Sequence, residues 1–386
     1  YYTVDNHQIE RTMTMNIPTP SALLEQTDSF PQQQVDLSRM TKPPHSTFEV
    51  SGKHWISFCS NDNEYLCTKK AFSLPLMIRT RVKTDYQNIR LYYHRGEVIL
   101  NWECNEPELR YHDPLTGNNN GYNGRGKIAE NQWHDIIWIL QKEYMAIVVD
   151  GEIRYCGIDS DYHHQWDKAS SLRAGAGVGS AWNSTVTVES FAVASLSPTP
   201  FPWGSLGSVT AEALLSSLTI QNEQTFSSMD MELAVKPLDQ SVITETGMQM
   251  GFAPDEFLLE DPIVHTAPIR IDARVQTQGG LRIFYNYGML VFGDMWYGEY
   301  LHYTDPLIAG HHYDCSMPPL SPDDFHDITW IIHREYWAVI VDGNMVLYRK
   351  DMPYQQQPDA SLSGKLTVGV SCGTITVSRL TVRELI

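Results

Sequence analysis

Residues 133–151 read Trp133-His134-Asp135-Ile136-Ile137-Trp138-Ile139-Leu140-Gln141-Lys142-Glu143-Tyr144-Met145-Ala146-Ile147-Val148-Val149-Asp150-Gly151. A second copy of this pattern runs from Phe325 through His326 to Asp342-Gly343. His134 and His326 stand 192 positions apart, and so do Asp150 and Asp342. Self-similarity at a fixed offset indicates a duplicated folding unit.

Each copy contains two apolar runs separated by a short charged segment, Gln141–Glu143 in the first copy and His333–Glu335 in the second. The runs are rich in Ile, Val, Trp and Tyr, which suit a pleated sheet, and Asp-Gly tolerates the positive φ angles of a tight hairpin. We therefore predict three antiparallel strands joined by short turns. A helix is the competing interpretation, which the β-branched residues and Asp-Gly disfavour. The first run lacks alternation, which predicts burial on both faces.

Short strands with turn signals continue on either side of this unit. Ile78–Thr84 and Ile271–Thr277 alternate with period two, and helical periodicity is almost absent. We predict a first domain over residues 1–196, with an N-terminal lead-in before a core at 48–196, a Pro-rich linker at 197–206 and a second domain over 207–386. A short helix is expected at 211–218. Residues 117–121 are predicted to be the most loop-like stretch.

The order Trp/Phe-His-Asp-Ile, a strand and then Val-Asp-Gly resembles the concanavalin A-like lectin and laminin G group. Members of that group often carry a Trp-His strand leading to a strand that ends in Asp-Gly. The resemblance covers Arg81–Tyr155 and Arg274–Tyr348. It implies an all-β fold of two tandem concanavalin A-like (jelly-roll) antiparallel β-sandwiches. It says less about activity, because this fold hosts lectins, hydrolases, lyases and adhesive modules.

The composition excludes some classes of binding partner. The net charge of −18 argues against nucleic acid and against an anionic membrane surface, since both attract Lys and Arg. No apolar run approaches the roughly 20 residues of a membrane helix, so membrane insertion is not expected. The six cysteines occupy no repeated position, which favours free, mostly buried thiols over disulfides.

No catalytic residue, metal site or cofactor is predicted. Glycosidases of the resembled fold share a Glu-x-Asp-x-Glu strand, and the nearest fragment here is Asp230-Met231-Glu232. His134-Asp135 and its copy recur, but they lead into the most apolar strand, so we interpret them as shaping the loop that enters it. His163-His164 and His311-His312 lack regular metal-ligand spacing and are interpreted as surface histidines.

A polar strand face is the best signal for a ligand site. Alternation puts Arg90 beside Tyr92, and Arg110 beside His112, on one side of their strands. Sugar sites need planar polar groups for hydroxyls and an aromatic ring for the apolar sugar face. The predicted ligand-binding residues are Arg81, Arg90, Tyr92, Asn101, Trp102, Glu103, Arg110, His112, Arg274, Arg282, Trp296 and His302. A solvated or salt-bridged sheet face is the alternative.

The leading functional hypothesis is non-catalytic carbohydrate recognition, with an oligosaccharide or glycan as partner. An acidic or hydroxyl-rich sugar would suit the guanidinium donors, because Glu103 is the only acid in the predicted set. Phe284 and Gly293 replace Tyr92 and Asn101 in the second copy, so weaker binding or none is expected there. The alternatives are a module with a protein partner or a sensory role, and a glycan-active enzyme with unrecognised acids. The sequence does not indicate a cellular location.

Overall fold

In a computed structural model the chain is an all-β protein of antiparallel sheets, which confirms the predicted fold class. The structure describes residues 40–41, 47–51, 55–60, 64–159, 165–166, 172–198, 210–227, 242–244, 247–250, 257–293, 300–306, 311–351, 363–370 and 373–386. The expectations for the N-terminal lead-in up to residue 39, His163-His164, Asp230–Glu232 and most of the linker lie outside these residues. No helix in the described part of the chain is long and apolar enough to span a membrane.

The strands described in the first half (residues 1–196) are β1 (Met40–Thr41), β2 (Thr47–Ser51), β3 (Trp55–Ser60), β4 (Glu64–Thr68), β5 (Phe72–Ser73), β6 (Leu76–Thr84), β7 (Ile89–Tyr93), β8 (Gly96–Leu100), β9 (Leu109–His112), β10 (Asn119–Tyr122), β11 (His134–Leu140), β12 (Met145–Val149), β13 (Glu152–Asp159), β14 (Arg173–Ala174), β15 (Ala176–Ser180) and β16 (Ser184–Ser195).

The second half (residues 207–386) begins with helix α1 (Ala211–Ser217) and continues with β17 (Ile220–Ser227), β18 (Val242–Thr244), β19 (Gly247–Met250), β20 (Phe257–Thr266), β21 (Ile269–Thr277), β22 (Leu281–Tyr285), β23 (Gly288–Phe292), β24 (Tyr300–Thr304), β25 (His311–Ser316), β26 (His326–Ile332), β27 (Trp337–Val341), β28 (Asn344–Asp351), β29 (Ser363–Val370) and β30 (Ile375–Leu385).

Two large sheets run through both halves of the described chain. The 13-stranded sheet has the order β1-β4-β15-β7-β8-β9-β10-β25-β24-β23-β22-β29-β20. The 15-stranded sheet has the order β18-β19-β30-β21-β26-β27-β28-β13-β12-β11-β6-β16-β3-β2, with β17 paired to β30. The halves meet where β10 pairs β25 in one sheet and β13 pairs β28 in the other. The two halves are therefore hydrogen-bonded to each other in both sheets.

The two sheets pack face to face over two hydrophobic cores, one in each half. Trp138 lies in the first core and Trp330 in the second, and both side chains are fully buried. Trp138 stands opposite Ile78 and Ile147 in its sheet, and Trp330 has the corresponding neighbours Ile271 and Val339. The predicted core role of both tryptophans is confirmed.

A third apolar cluster covers the other face of the 15-stranded sheet. It contains Ile137 and Ile139 of β11 and Ile331 of β26, packed with Ala211 and Leu214 of α1. Burial of β11 on both faces is the prediction made from its missing alternation, and it is confirmed. The predicted helix at 211–218 is also present. Its first turn is capped by the Thr210 hydroxyl, which accepts a hydrogen bond of 3.1 Å from the Ala213 N–H.

A fully buried arginine lies between the sheets where the two halves meet. Arg349 of β28 donates a hydrogen bond of 2.8 Å to the side-chain oxygen of Asn120 on β10. Its guanidinium carbon lies 4.4 Å from the ring centroid of Tyr313. Asn120 is itself fully buried, so the predicted loop at residues 117–121 is wrong in its second part. The Asn-rich stretch forms a strand because its pairing partner, β25, comes from the distant second half.

The histidines of the repeated stretch fasten a hairpin turn in each half. The Nδ1 of His134 lies 2.6 Å from an Asp150 carboxylate oxygen, and the other oxygen of Asp150 accepts from the Asp135 N–H at 2.8 Å. His326 and Asp342 repeat this contact at 2.7 Å. Asp150 and Asp342 have φ angles of 51° and 50°, as a tight Asp-Gly turn requires. The Nε2 of His134 also lies 2.9 Å from the Ala129 carbonyl oxygen, and that of His326 lies 3.0 Å from the Ser321 carbonyl oxygen, in the loops that enter β11 and β26. The histidines thus shape the entering loops, as interpreted from the sequence, and in addition they hold the Asp-Gly turns, which was not predicted.

The offset between β6 and β21 is 193, one more than the offset of 192 between His134 and His326, because the connection that follows the strand is one residue shorter in the second half. Of the cysteines whose side chains are described, none forms a disulfide, but only Cys156 and Cys315 are buried. Cys67 is half-buried and Cys104 is exposed, so the expectation of burial holds in part.

Candidate functional site

The face of the 13-stranded sheet that points away from the core, here called the outward face, carries most of the predicted site of the first half. On β7, Ile89, Leu91 and Tyr93 enter the core, so Arg90 and Tyr92 point outward. Tyr92 stands opposite Glu97, and Glu97 stands opposite His112. Arg110 lies on the same face, two residues before His112 on β9. The structure therefore brings Arg90, Tyr92, Arg110 and His112 together.

Arg90 is the centre of a charged network on this face. Its side chain is buried, and it donates to Glu97 Oε1 at 2.9 Å, to Glu103 Oε2 at 3.2 Å and to the side-chain oxygen of Asn88 at 3.0 Å. A buried guanidinium needs such partners to offset its lost hydration. Burial acts to lower the pKa of Arg90, but the attraction of Glu97 and Glu103 outweighs burial and raises that pKa. Arg90 therefore stays positively charged, and its charge is balanced by Glu97 and Glu103.

Glu97 is the principal residue that the sequence interpretation missed. Besides the Arg90 contact, Glu97 accepts a hydrogen bond from the Tyr65 hydroxyl and lies 3.8 Å from His112 Nδ1. Burial, and then the charge of Glu97, raise the pKa of Tyr65 far above its usual value, so its hydroxyl stays a donor. Alternation with the buried Val98 on β8 could have identified Glu97. Tyr65 belongs to β4, which the sequence does not connect to this face.

Aromatic rings flank the Arg90 network on two sides. The rings of Tyr65 and Tyr92 are stacked with centroids 4.7 Å apart. On the other side the Arg110 guanidinium lies 4.1 Å from the centroid of the Trp102 ring, a cation–π distance. Tyr92 and Trp102 are both half-buried. The face thus combines planar aromatic groups with fixed polar groups.

A second polar cluster follows where the halves meet. The buried Glu108 accepts hydrogen bonds from Asn105 at 2.9 Å and from Arg110 at 3.4 Å, and burial raises its pKa. His312 of β25 places its Nε2 4.0 Å from a Glu108 oxygen. Burial, then the nearby His302 and Arg110, lower the pKa of His312 to about 4, so the ring is neutral at pH 7.

His302 and Arg282 occupy the outward face of the second half. His302 of β24 is hydrogen-bonded to Asp314 and has its ring centroid 6.0 Å from that of His312. Arg282 of β22 stands opposite Val291, which stands opposite His302. The interpretation of His312 as a chance surface histidine is therefore wrong. His312 is an internal part of the polar cluster. It reaches this cluster because β25 pairs with β10, and only that pairing could have identified it as a site residue.

Arg81 and Arg274 do not lie on the outward face, which corrects the predicted site. They belong to β6 and β21 of the 15-stranded sheet. Arg81 forms an ion pair of 2.6 Å with Glu189, and Arg274 forms one of 2.7 Å with Asp327. Alternation fixes the side of a residue on its own strand, but β6 and the next strand β7 fall in different sheets. Sequence neighbours here are not sheet neighbours.

Asn101 is also placed differently from the prediction. Its side chain is fully buried; it donates to the Ile128 carbonyl at 3.0 Å and accepts from the Ile128 N–H at 2.8 Å. Asn101 has a φ of 50°, and its counterpart Gly293 has a φ of 65°. Asn and Gly both tolerate this backbone conformation, so the exchange reflects the turn rather than a lost ligand contact. Trp296 lies outside the described residues.

Among the described residues, no group of three or more His, Cys, Asp and Glu side chains is arranged to hold a metal ion. The outward face carries carboxylates, guanidinium groups, imidazoles and aromatic rings. Glu97, Glu103 and Glu108 each contact an arginine. The arrangement can offer hydrogen bonds and flat apolar surfaces to a ligand.

No protein-family model matches the chain, and no curated protein matches it. Among solved structures, a carbohydrate-binding module, CBM66 from Bacillus subtilis, is similar at 9% identity and a TM-score of 0.30, over 43% of this chain and 98% of that one. An endo-β-1,3-glucanase from Pyrococcus furiosus is similar at 12% identity and a TM-score of 0.30, over 44% and 91%. Likenesses with such low TM-scores do not define the site. The strand pairings of this chain themselves show the all-β antiparallel class.

Proposed function

We propose that the outward face of the first half binds carbohydrate without catalysing a reaction on it. The observation that carries this proposal is the placement of two half-buried aromatic residues, Tyr92 and Trp102, on either side of the Arg90 network. A sugar has an apolar ring face and a rim of hydroxyls. Small-molecule sites meet such ligands with aromatic surface and a few polar groups held in place.

The charge balance of this face favours a neutral sugar. Arg90 is matched by Glu97 and Glu103, and Arg110 lies against Glu108. These five groups are three carboxylates and two guanidinium groups, so the network has no surplus positive charge for an acidic sugar. The surplus that the predicted residue set implies does not arise, because Glu97 and Glu108 also lie against the two arginines. A hydroxyl-rich, uncharged ligand is therefore the better fit.

The engagement of the carboxylates supports binding over hydrolysis. A glycosidase needs one carboxylic acid with a raised pKa and a second carboxylate that is free to act on the substrate. Glu97 and Glu103 both accept hydrogen bonds from Arg90, so neither is free to act on a substrate. Burial raises the pKa of Glu108. This raised pKa makes a glycan-active enzyme the second candidate.

The proposal includes a division of the chain into two domains. We infer two duplicated concanavalin A-like units, at residues 1–196 and 207–386, joined by a linker at 197–206. The separate cores around Trp138 and Trp330 and the repeated His–Asp turns support this division. The second unit carries Phe284 in the place of Tyr92. Its own face is therefore proposed to bind more weakly than the first.

A glycan array followed by calorimetry on the full chain tests the function. We expect binding to neutral glycans, a loss of at least about tenfold in affinity for Tyr92→Ala and for Trp102→Ala, and no release of reducing ends. Tyr287→Ala is the matched control, because Tyr287 is an exposed tyrosine in the β22–β23 turn of the second half. Absence of glycan binding contradicts the proposal. Hydrolysis that Glu108→Gln abolishes would favour the enzyme instead.

A further inference from the structure

The outward faces of the two halves belong to one continuous sheet. At the junction, Gly121 of β10 stands opposite His312 of β25. Five strand pairings connect a single outward row, in the order Arg90, Ile99, Arg110, Gly121, His312 and Thr304. Since neighbouring strands lie about 4.8 Å apart, this row spans roughly 24 Å from β7 to β24.

A glycine lets the second half reach into the site of the first. A Cβ atom placed on Gly121 would lie 2.1 Å from Cε1 of His312 and 2.5 Å from Oε1 of Glu108. The missing side chain therefore makes room for the His312 ring above β10. There the ring approaches Glu108, which also accepts a hydrogen bond from Arg110. An imidazole from one half thus completes a polar cluster of the other half.

His312 has the chemistry that hydroxyl groups require. A neutral imidazole offers one N–H donor and one ring nitrogen acceptor, and a hydroxyl can both donate and accept. The groups that face His312 are Glu108 and Arg110 from the first half and His302 and Asp314 from the second. The side chains of His312 and Arg110 are each about one-fifth exposed, at 20% and 19%. Both can therefore contact a ligand that lies on the face.

We propose that the site is composite and that its ligand is a linear, neutral oligosaccharide that crosses the β10–β25 junction. This inference rests on the proposed carbohydrate binding. Tyr92 and Trp102 hold the part of the ligand over the first half, and His312 holds the part that passes the junction. Tyr92 on β7 and His312 on β25 are four strand spacings apart, roughly 19 Å, a distance that only an oligosaccharide of several residues covers. A single terminal sugar would occupy only one side.

The test is calorimetry on the full chain with ladders of linear β-1,3- and β-1,4-linked gluco-, manno- and galacto-oligosaccharides, from disaccharide to hexasaccharide. Affinity is expected to rise with chain length. His312→Ala is expected to lower affinity for the longer members about fivefold to tenfold, the effect of one lost hydrogen bond, and to leave the disaccharide unchanged. His312→Gln should restore part of the loss, whereas Tyr92→Ala should weaken every member. His333→Ala, in the β26–β27 turn of the other sheet, is the matched histidine control.

The outcomes separate the two proposals. If the protein binds no glycan on an array, the proposal of carbohydrate binding itself is contradicted. If the protein binds glycans on the array but no oligosaccharide of the neutral linear ladders, only the proposal that the ligand is linear and neutral is contradicted. Affinity that does not depend on length, or that His312→Ala leaves unchanged for the hexasaccharide, contradicts the composite site. Circular dichroism and thermal unfolding of each variant establish that a loss of affinity is not a loss of fold.

Discussion

The Arg349 guanidinium donates a hydrogen bond of 2.6 Å to the hydroxyl of Tyr122, and the two residues come from opposite halves of the chain. The same nitrogen reaches the hydroxyls of Tyr111 at 2.7 Å and Tyr155 at 3.0 Å. Burying a guanidinium is unfavourable unless polar groups surround it, so this cluster fixes how the halves pack. The junction is an internal part of the fold, and it aligns the two outward faces in one sheet.

Replacing Arg349 with Met is expected to lower the free energy of unfolding by at least about 2 kcal/mol. The change removes the hydrogen bonds that Arg349 donates to buried tyrosine hydroxyls and to the Asn120 side-chain oxygen, and removing one partner of a buried hydrogen bond costs roughly 1–3 kcal/mol. Chemical denaturation measures the loss. Arg334→Met, at an exposed position in the β26–β27 turn, should change stability by no more than about 0.5 kcal/mol. Wild-type stability of Arg349→Met would show that the cluster does not hold the halves together.

The whole chain is expected to unfold in one cooperative transition. Two strand pairings, β10 with β25 and β13 with β28, and the Arg349 cluster couple the two cores. Unfolding one half would expose these contacts in the other. Differential scanning calorimetry measures this directly, since a two-state protein has equal calorimetric and van't Hoff enthalpies. Two resolved transitions in the wild-type protein would mean that the halves fold independently.

Trp330→Ala is expected to cost about 3–5 kcal/mol of stability, as large core truncations do. The Trp330 side chain is fully buried in the second core, and its ring lies edge-on to Tyr303 with centroids 6.0 Å apart. Trp138→Ala should behave in the same way in the first core. Trp182→Ala is the control, because that tryptophan is 61% exposed. Thermal unfolding of the three variants gives the comparison, and equal melting temperatures for Trp330→Ala and Trp182→Ala would contradict it.

The turn at Asp342 predicts a pH-dependent contribution to stability. Burial acts to raise the pKa of Asp342, but hydrogen bonds from His326 and the Asp327 N–H outweigh it and hold that pKa below its usual value. A depressed folded-state pKa stabilises the protein above the unfolded pKa of about 3.9, and this stabilisation is lost as the pH falls through the folded value.

Asp342→Asn should therefore be less stable than wild type above pH ~4, and the difference should shrink as the pH falls further. The effect is expected to stay below about 1 kcal/mol, because solvent screens this partly exposed pair. Asn tolerates the positive φ angle of the turn, so the substitution removes the charge without straining the backbone. Melting temperatures of both proteins from pH 2 to pH 7 measure it. A difference that grows as the pH falls would reverse the predicted sign.

Local patterns predicted the elements of this fold well. The Asp-Gly pairs marked the hairpin turns, the unbroken apolar run of β11 predicted burial on both faces, and Trp138 and Trp330 lie in the cores. These features depend on residues that are neighbours in sequence. For the same reason, alternation placed Arg90, Tyr92, Arg110 and His112 on one face, where consecutive strands β7, β8 and β9 pair with each other.

Long-range pairing accounts for what the sequence could not predict. Arg81 lies in the other sheet because the chain crosses between sheets after β6, and no local pattern marks that crossing. Asn120 belongs to a strand because β25 of the second half pairs with it. Glu97 could have been found from its own strand. Tyr65 and His312 could not, since each reaches the site from a strand that is remote in sequence.

A crystal of the full chain soaked with a mixture of neutral oligosaccharides tests the central claim most directly. We predict a sugar on the outward face of the 13-stranded sheet, in van der Waals contact with Tyr92 or Trp102 and within hydrogen-bond distance of Arg110 or His112. A longer bound chain should continue across β10 to His312. A sugar that binds instead on the 15-stranded sheet, near Arg81 or Arg274, or an outward face that stays free of sugar at saturating concentration, would contradict the account.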